Sequence, residues 1–97
     1  MIILYCTLKG ADLEESIGKM SLYVMKTSIN SLFWTDGAGL YVYESHLKPD
    51  EILAGIEEDA ELQDHADTCV VFDVKKFGPM ASRNLRDHKI LRAFIYD

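Results

Sequence analysis

Two cysteines, three histidines and a stretch rich in carboxylates are the side chains of this 97-residue sequence that could carry chemistry. Cys6 and Cys69 are too few for a disulfide framework or a zinc quartet. His46, His65 and His88 fall in three separate segments, and no HxxxH, CxxC or HExxH spacing offers a metal its ligands. The nearest approach to a ligand set is Asp64-His65-x-Asp67 with Cys69 just beyond, which reads as a hydrated loop. No GxGxxG, GxxxxGK[ST] or GxSxG string is present to cradle a phosphate or raise a nucleophilic serine. Cys6 falls in phase with apolar neighbours, where a thiol is desolvated and poorly reactive. Cys69 is the more accessible of the two, with no base expected beside it. The residue types therefore name no catalytic group, no metal and no cofactor, and the reading leans away from an enzyme.

The charges are distributed unevenly. Residues 1–48 hold four basic and five acidic side chains, and residues 49–74 hold nine acidic side chains with no lysine or arginine. Residues 75–97 hold six basic side chains against Asp87 and Asp97, for a formal total of −6. Such a balance does not suit a general nucleic-acid binder, which needs clustered Lys and Arg for phosphate. Glu57, Glu58, Asp59, Glu61, Asp64 and Asp67 are instead candidates for an acidic face toward a basic protein partner. Arg83, Arg86, Lys89 and Arg92 are the candidate phosphate contacts if nucleic acid is bound at all.

Hydrophobic content of 48% with 27% charged is ordinary for one globular domain, here residues 1–97 with a core in 1–76 and a C-terminal extension in 77–97. No apolar run approaches a membrane span, and Met1-Ile2-Ile3-Leu4 lacks the basic leader of a signal peptide. With so little cysteine, a reduced, cytoplasmic setting is the expectation.

These residues must be held by elements that the periodicity suggests. Residues 1–8 alternate as a strand with Ile2, Leu4, Cys6 and Leu8 on one side. Asp12-Leu13-Glu14-Glu15 fits a capping box opening a helix to about Thr27, with Leu13, Ile17, Met20 and Val24 as its stripe. Leu22, Met25 and Ile29 lie opposite that stripe. Strands over 31–34 and 40–44 flank Asp36-Gly37-Ala38-Gly39, where glycine supplies the turn. Pro49 suits a first helical position, Asp50 and Glu51 its first turn, and Ile52, Leu53 and Ile56 its buried side, with a turn somewhere between Glu57 and Asp67. Residues 68–74 read as a strand with Val70, Phe72 and Val74 inward, and 89–96 as a last strand after the break at Gly78-Pro79. The order is that of an α+β, ferredoxin-like split βαβ fold (βαββαβ), two helices on one face of an antiparallel sheet, plus an extra C-terminal strand. On this phasing Cys6 and Cys69 point to opposite faces and stay unpaired.

A sheet with both helices on one side has a second face to explain. Tyr5, Thr7, Trp34, Tyr41, Tyr43, Cys69 and Val71 are expected there, with Phe94 added from the last strand. That many apolar groups call for a cover: a second copy of the chain is the leading expectation, and the alternatives are the C-terminal segment folding back over its own sheet or single-stranded RNA stacked on the tyrosines.

Gly39-Leu40-Tyr41-Val42-Tyr43, with Tyr5 beside it, looks like the aromatic-x-aromatic core of the RNA recognition motif, although alternating tyrosines also suit any half-buried strand. The run Leu40-Tyr41-Val42-Tyr43, Leu47-Lys48-Pro49-Asp50-Glu51-Ile52-Leu53, Leu62, Asp67 and Val70-Val71-Phe72-Asp73-Val74 resembles the second half of Cas2-like proteins and their SinR-like and VapD-like relatives. That resemblance implies a homodimer joined through sheet edges, association with nucleic acid and, in some members, metal-dependent ribonuclease activity. It also implies a carboxylate late in the first strand, where this sequence has Cys6 and Thr7. The leading expectation is therefore a non-enzymatic, homodimeric interaction protein, an inhibitor or adaptor of a nucleic-acid-processing or defence complex, presenting residues 50–67 to a protein partner. The alternatives are a Cas2-like nucleic-acid-binding protein or ribonuclease, and a dimeric domain that encloses a small ligand.

Overall fold

The computed structural model describes residues 1–74. The extension 77–97, with its expected strand over 89–96, lies outside the described residues. Seven elements follow one another: β1 (Ile2–Leu8), α1 (Leu13–Thr27), β2 (Ser28–Thr35), β3 (Leu40–Ser45), α2 (Pro49–Glu58), α3 (Ala60–Gln63) and β4 (Ala66–Asp73). The four strands form one sheet in the order β2-β3-β1-β4, every neighbouring pair antiparallel. This is the ferredoxin-like βαββαβ arrangement. No helix among the described residues is long and apolar enough to cross a membrane.

Local chemistry accounts for the boundaries. Asp12 caps α1 by accepting from the Glu15 amide, and Lys26 in the last turn complements the helix dipole. Pro49 opens α2, with the Glu51 carboxylate reaching back to the Lys48 amide. The turn expected after Glu57 is made by Asp59, which ends α2 and caps α3 by accepting from the Glu61 and Leu62 amides. Between β2 and β3 a single Asp36 carboxylate oxygen accepts from the amides of Ala38, Gly39 and Leu40. β2 begins directly at the end of α1, earlier than position 31, and bends where Asn30 and Ser31 take left-handed φ values of 58° and 57°.

The core lies between the sheet and the helices: Ile2, Leu4 and Cys6 from β1, Met20 and Val24 from α1, Tyr41 and Tyr43 from β3, Ile52 and Ile56 from α2, then Leu62 and Ala66. Leu13, expected in the α1 stripe, is exposed, and Ser16 takes its place one turn before Met20.

Two strand phases differ from the sequence-based expectation. Tyr41 and Tyr43 stand opposite Leu4 and Ile2, so they lie on the helix-covered side and are 0% exposed. On β4, Cys69 and Val71 pack toward the core while Val70 and Phe72 are exposed. Cys6 and Cys69 are therefore on the same face, directly opposite each other, and not on opposite faces. Both differences share one cause. The sheet is apolar on both sides, so alternation in Leu40–Val42 against Tyr41–Tyr43, and in Val70–Phe72 against Cys69–Val71, does not distinguish inside from outside.

Candidate functional site

Among the described residues, the second face of the sheet, the acidic corner and the polar cluster at the end of β1 are arrangements that could act on another molecule.

The second face collects Ile3 and Tyr5 from β1, Trp34 from β2, Leu40 and Val42 from β3, and Val70 and Phe72 from β4, as the register requires. Trp34 and Val42 are buried at its centre, with Met1, Ile3 and Leu40 against them. Tyr5 is 50% and Phe72 52% exposed. The Trp34 Nε1–H is buried and has no hydrogen-bond partner among the described residues. Of the residues expected on this face, the structure places Tyr5 and Trp34 there and Tyr41 and Tyr43 elsewhere. Phe94 lies outside the described residues. Val70 and Phe72, which the sequence-based phasing puts in the core, also lie on this face.

Glu57, Glu58, Asp59, Glu61, Asp64 and Asp67 are all exposed, along the end of α2, through α3 and into β4. Asp59 is committed to capping α3, and Glu61 accepts from Lys19 Nζ at 2.6 Å. The Lys19 ammonium is held above its ordinary range by the Glu61 hydrogen bond and charge, with Glu15 and Asp59 adding to the field. Glu57, Glu58, Asp64 and Asp67 have no ionic partner among the described residues. Arg83, Arg86, Lys89 and Arg92 lie outside them. Among the described residues no three His, Cys, Asp or Glu side chains gather in a way that could hold a metal ion.

The polar cluster was not anticipated. Ser16 Oγ lies 2.8 Å from His65 Nδ1, and His65 Nε2 lies 3.8 Å from Glu15 Oε1. A serine, an imidazole and a carboxylate in sequence suggest nucleophilic catalysis, but the hydrogen bonds run the wrong way. The single Ser16 hydroxyl proton goes to the Lys9 carbonyl at 2.5 Å. His65 Nδ1 must then carry its own proton and donate to Ser16, as the network assigns it. A serine that accepts from histidine is not being deprotonated by it, and Ser16 is 0% exposed. The cluster is a latch joining the β1–α1 connection to the α3–β4 connection, reinforced by the Lys9 amide donating to the His65 carbonyl at 2.9 Å. Its one sequence signal is a serine four residues before Met20 on the buried side of α1. Ser16→Ala is expected to strand both polar partners and lower unfolding stability by about 1–3 kcal/mol in urea titration, and serine-directed phosphonates should leave the wild type unlabelled.

A shallow depression between α1 and α3 is lined by Lys19, Leu22, Tyr23, Lys26, Asp59, Glu61 and Leu62. At about 90 Å³ it is well below the roughly 300 Å³ at which drug-sized ligands are enclosed.

No family model, no curated protein and no solved structure matches this chain.

Proposed function

We propose that this protein is a non-enzymatic interaction module, homodimeric, that presents the acidic surface of residues 50–67 to a basic protein partner, as an inhibitor or adaptor would. The observation that supports this reading most is the exposure of all six carboxylates from the end of α2 through α3 into β4, five of them (all but Glu61) without an ionic partner among the described residues. Carboxylates that serve only stability are usually spread among cations. A one-sign patch costs self-repulsion and gains its use from long-range attraction of an oppositely charged surface. The second face of the sheet is the proposed dimer surface. Among the described residues the three helices take the other side, and Tyr5 and Phe72, each about half exposed on this face, are the kind of aromatic groups that fill interface cores. The Cas2-like reading would place nucleic acid against the basic extension instead, and the end of β1 offers Cys6 and Thr7 where a metal-binding carboxylate is needed.

The test is binding of a cationic protein or Lys/Arg-rich peptide, read by fluorescence anisotropy across a salt series. Charge reversal is best made at Glu57, Glu58, Asp64 and Asp67, which spares the Asp59 cap and the Glu61–Lys19 pair. Affinity is expected to fall at least about tenfold, as loss of several steering charges should produce, with the melting temperature held. Unchanged affinity would refute the acidic-face mechanism. Binding of labelled RNA or DNA that weakens steeply with salt, while the cationic probe is ignored, would transfer the reading to nucleic acid. Light scattering on the wild type and on Phe72→Glu is expected to show a dimer and a monomer, respectively.

A further inference from the structure

Cys6 and Cys69 face each other across adjacent strands, and their sulfur atoms are 2.9 Å apart. The backbone ladder shows what kind of position this is. Met1 and Val74 exchange both backbone hydrogen bonds, at 2.8 and 3.0 Å. Counting along the strands in steps of two, Ile3–Phe72 and Tyr5–Val70 are then hydrogen-bonded pairs and Cys6–Cys69 is a non-hydrogen-bonded one. The Cys6 amide agrees with this, since it donates away from β4, to the Gly39 carbonyl at 2.9 Å. At non-hydrogen-bonded positions the α-carbons approach to about 4.5 Å and the side chains lie closest. That separation falls inside the roughly 4.4–6.8 Å window a disulfide requires. Immediately beyond the pair the register shifts, between Cys6 and Leu8, so the ladder is already irregular where the sulfurs would have to close.

The two thiols differ in a way that orders a reaction. Cys6 is buried and Cys69 half-buried. The hydrogen bond with Cys69, and then burial, hold Cys6 as the thiol far above its ordinary range. The same bond lowers Cys69, against the opposing pull of burial and of the Asp67 and Glu57 carboxylates.

We propose that Cys6 and Cys69 form a thiol–disulfide redox site whose substrate is a low-molecular-weight disulfide of the glutathione class, with Cys69 as the entering sulfur and Cys6 as the resolving one. The Cys69 thiolate attacks one sulfur of the small disulfide. That S–S bond breaks, the departing thiolate keeps the electron pair and takes up a proton, and Cys69 is left in a mixed disulfide. Cys6 Sγ then attacks Cys69 Sγ, and the second small thiolate leaves with the electron pair of the broken S–S bond and takes up the Cys6 proton. In sum two protein thiols are oxidised by two electrons and one small disulfide is reduced to two thiols. The product ties β4 to β1 covalently.

The test is equilibration of the full-length protein with graded ratios of reduced and oxidised glutathione, quenched in acid and read by intact mass and free-thiol count. The wild type is expected to lose both thiols and two hydrogens within one chain. Cys6→Ser should stop at a mixed disulfide carrying one glutathione, and Cys69→Ser should not react. Because serine at Cys6 enters the core and could unfold the chain, brief alkylation of the reduced wild type with limiting iodoacetamide supplies a second measurement. Peptide mapping is expected to find Cys69 modified at least about tenfold faster than Cys6, as accessibility and thiolate character dictate. Thiols that stay free at the most oxidising ratio, a disulfide that links two chains, or Cys6 alkylated as fast as Cys69 would overturn the proposal.

Discussion

Gly39→Ala is expected to remove a large share of the stability of this protein, at a single position on the rim of the sheet. Gly39 ends the β2–β3 turn with φ at +134°, a backbone conformation that a residue with a side chain rarely adopts. That strain alone is worth about 1–3 kcal/mol. A methyl group there would lie 2.2 Å from the Cys6 carbonyl oxygen. Backbone on β1 cannot step aside as a flexible side chain would, because the Cys6 amide is bonded to the Gly39 carbonyl in the same pairing. Relief of that clash adds a further cost of about 1–3 kcal/mol. A chain of this length has about 5–10 kcal/mol in total, so the variant should unfold at a greatly lowered urea midpoint or fail to fold. Gly37→Asn is the control. Its φ of +76° lies near the left-handed region that asparagine tolerates, and the loss should stay under about 1 kcal/mol. A Gly39→Ala midpoint within about 1 kcal/mol of wild type would show that β1 and β3 do not meet at this turn as described.

The same two strands show how far the sequence can be read. The element order and most boundaries follow from local signals that tertiary structure does not override: Asp12 and Pro49 at helix starts, Asp36 with its two glycines at the turn, the alternation of Ile2, Leu4 and Cys6. The inward phase of β3 and β4 does not follow, because it is fixed by partners and not by neighbours in sequence. Tyr43 is inside since it stands opposite Ile2, and Cys69 since it stands opposite Cys6. With apolar residues on both faces, either phase satisfies the hydrophobic pattern equally well. The acidic surface was legible because charge along α2 and α3 needs no register to be seen. The cysteine pair and the Ser16–His65 latch were not, since each joins residues 63 and 49 positions apart that only the closed fold brings together.

The placement of Tyr43 leads to the second large effect, a loss of stability in alkali. Burial pushes the Tyr43 hydroxyl up to about 12, with smaller upward contributions from Tyr23 and Cys6. Thr27 pulls the other way, but its hydroxyl already donates to the Tyr23 and Val24 carbonyls. Burial also raises Tyr41, and it raises Tyr23 with help from the Asp59 charge. A phenol whose folded value exceeds its unfolded value of about 10 keeps its proton longer in the native state. Its contribution is therefore complete below pH 10 and is lost as pH climbs from 10 toward 12, because the unfolded chain ionises first. For Tyr43 the span of two pH units corresponds to about 2.7 kcal/mol, and Tyr41 and Tyr23 act in the same direction. Urea titrations between pH 7 and pH 11.5 should show the midpoint falling steeply above pH 10. Tyr43→Phe separates this from general charge repulsion. Among the described residues the buried Tyr43 hydroxyl has no hydrogen-bond partner, so its removal relieves an uncompensated desolvation and should stabilise the protein at pH 7 by up to about 1 kcal/mol. It should also flatten the alkaline slope. Tyr23→Phe is the contrast, since the Tyr23 hydroxyl donates to the Ile52 carbonyl at 2.7 Å and its loss should cost about 1 kcal/mol. A Tyr43→Phe variant less stable than wild type at pH 7, with an unchanged alkaline slope, would mean that this hydroxyl is solvated or hydrogen-bonded in the native state and that its burial does not drive the alkaline loss.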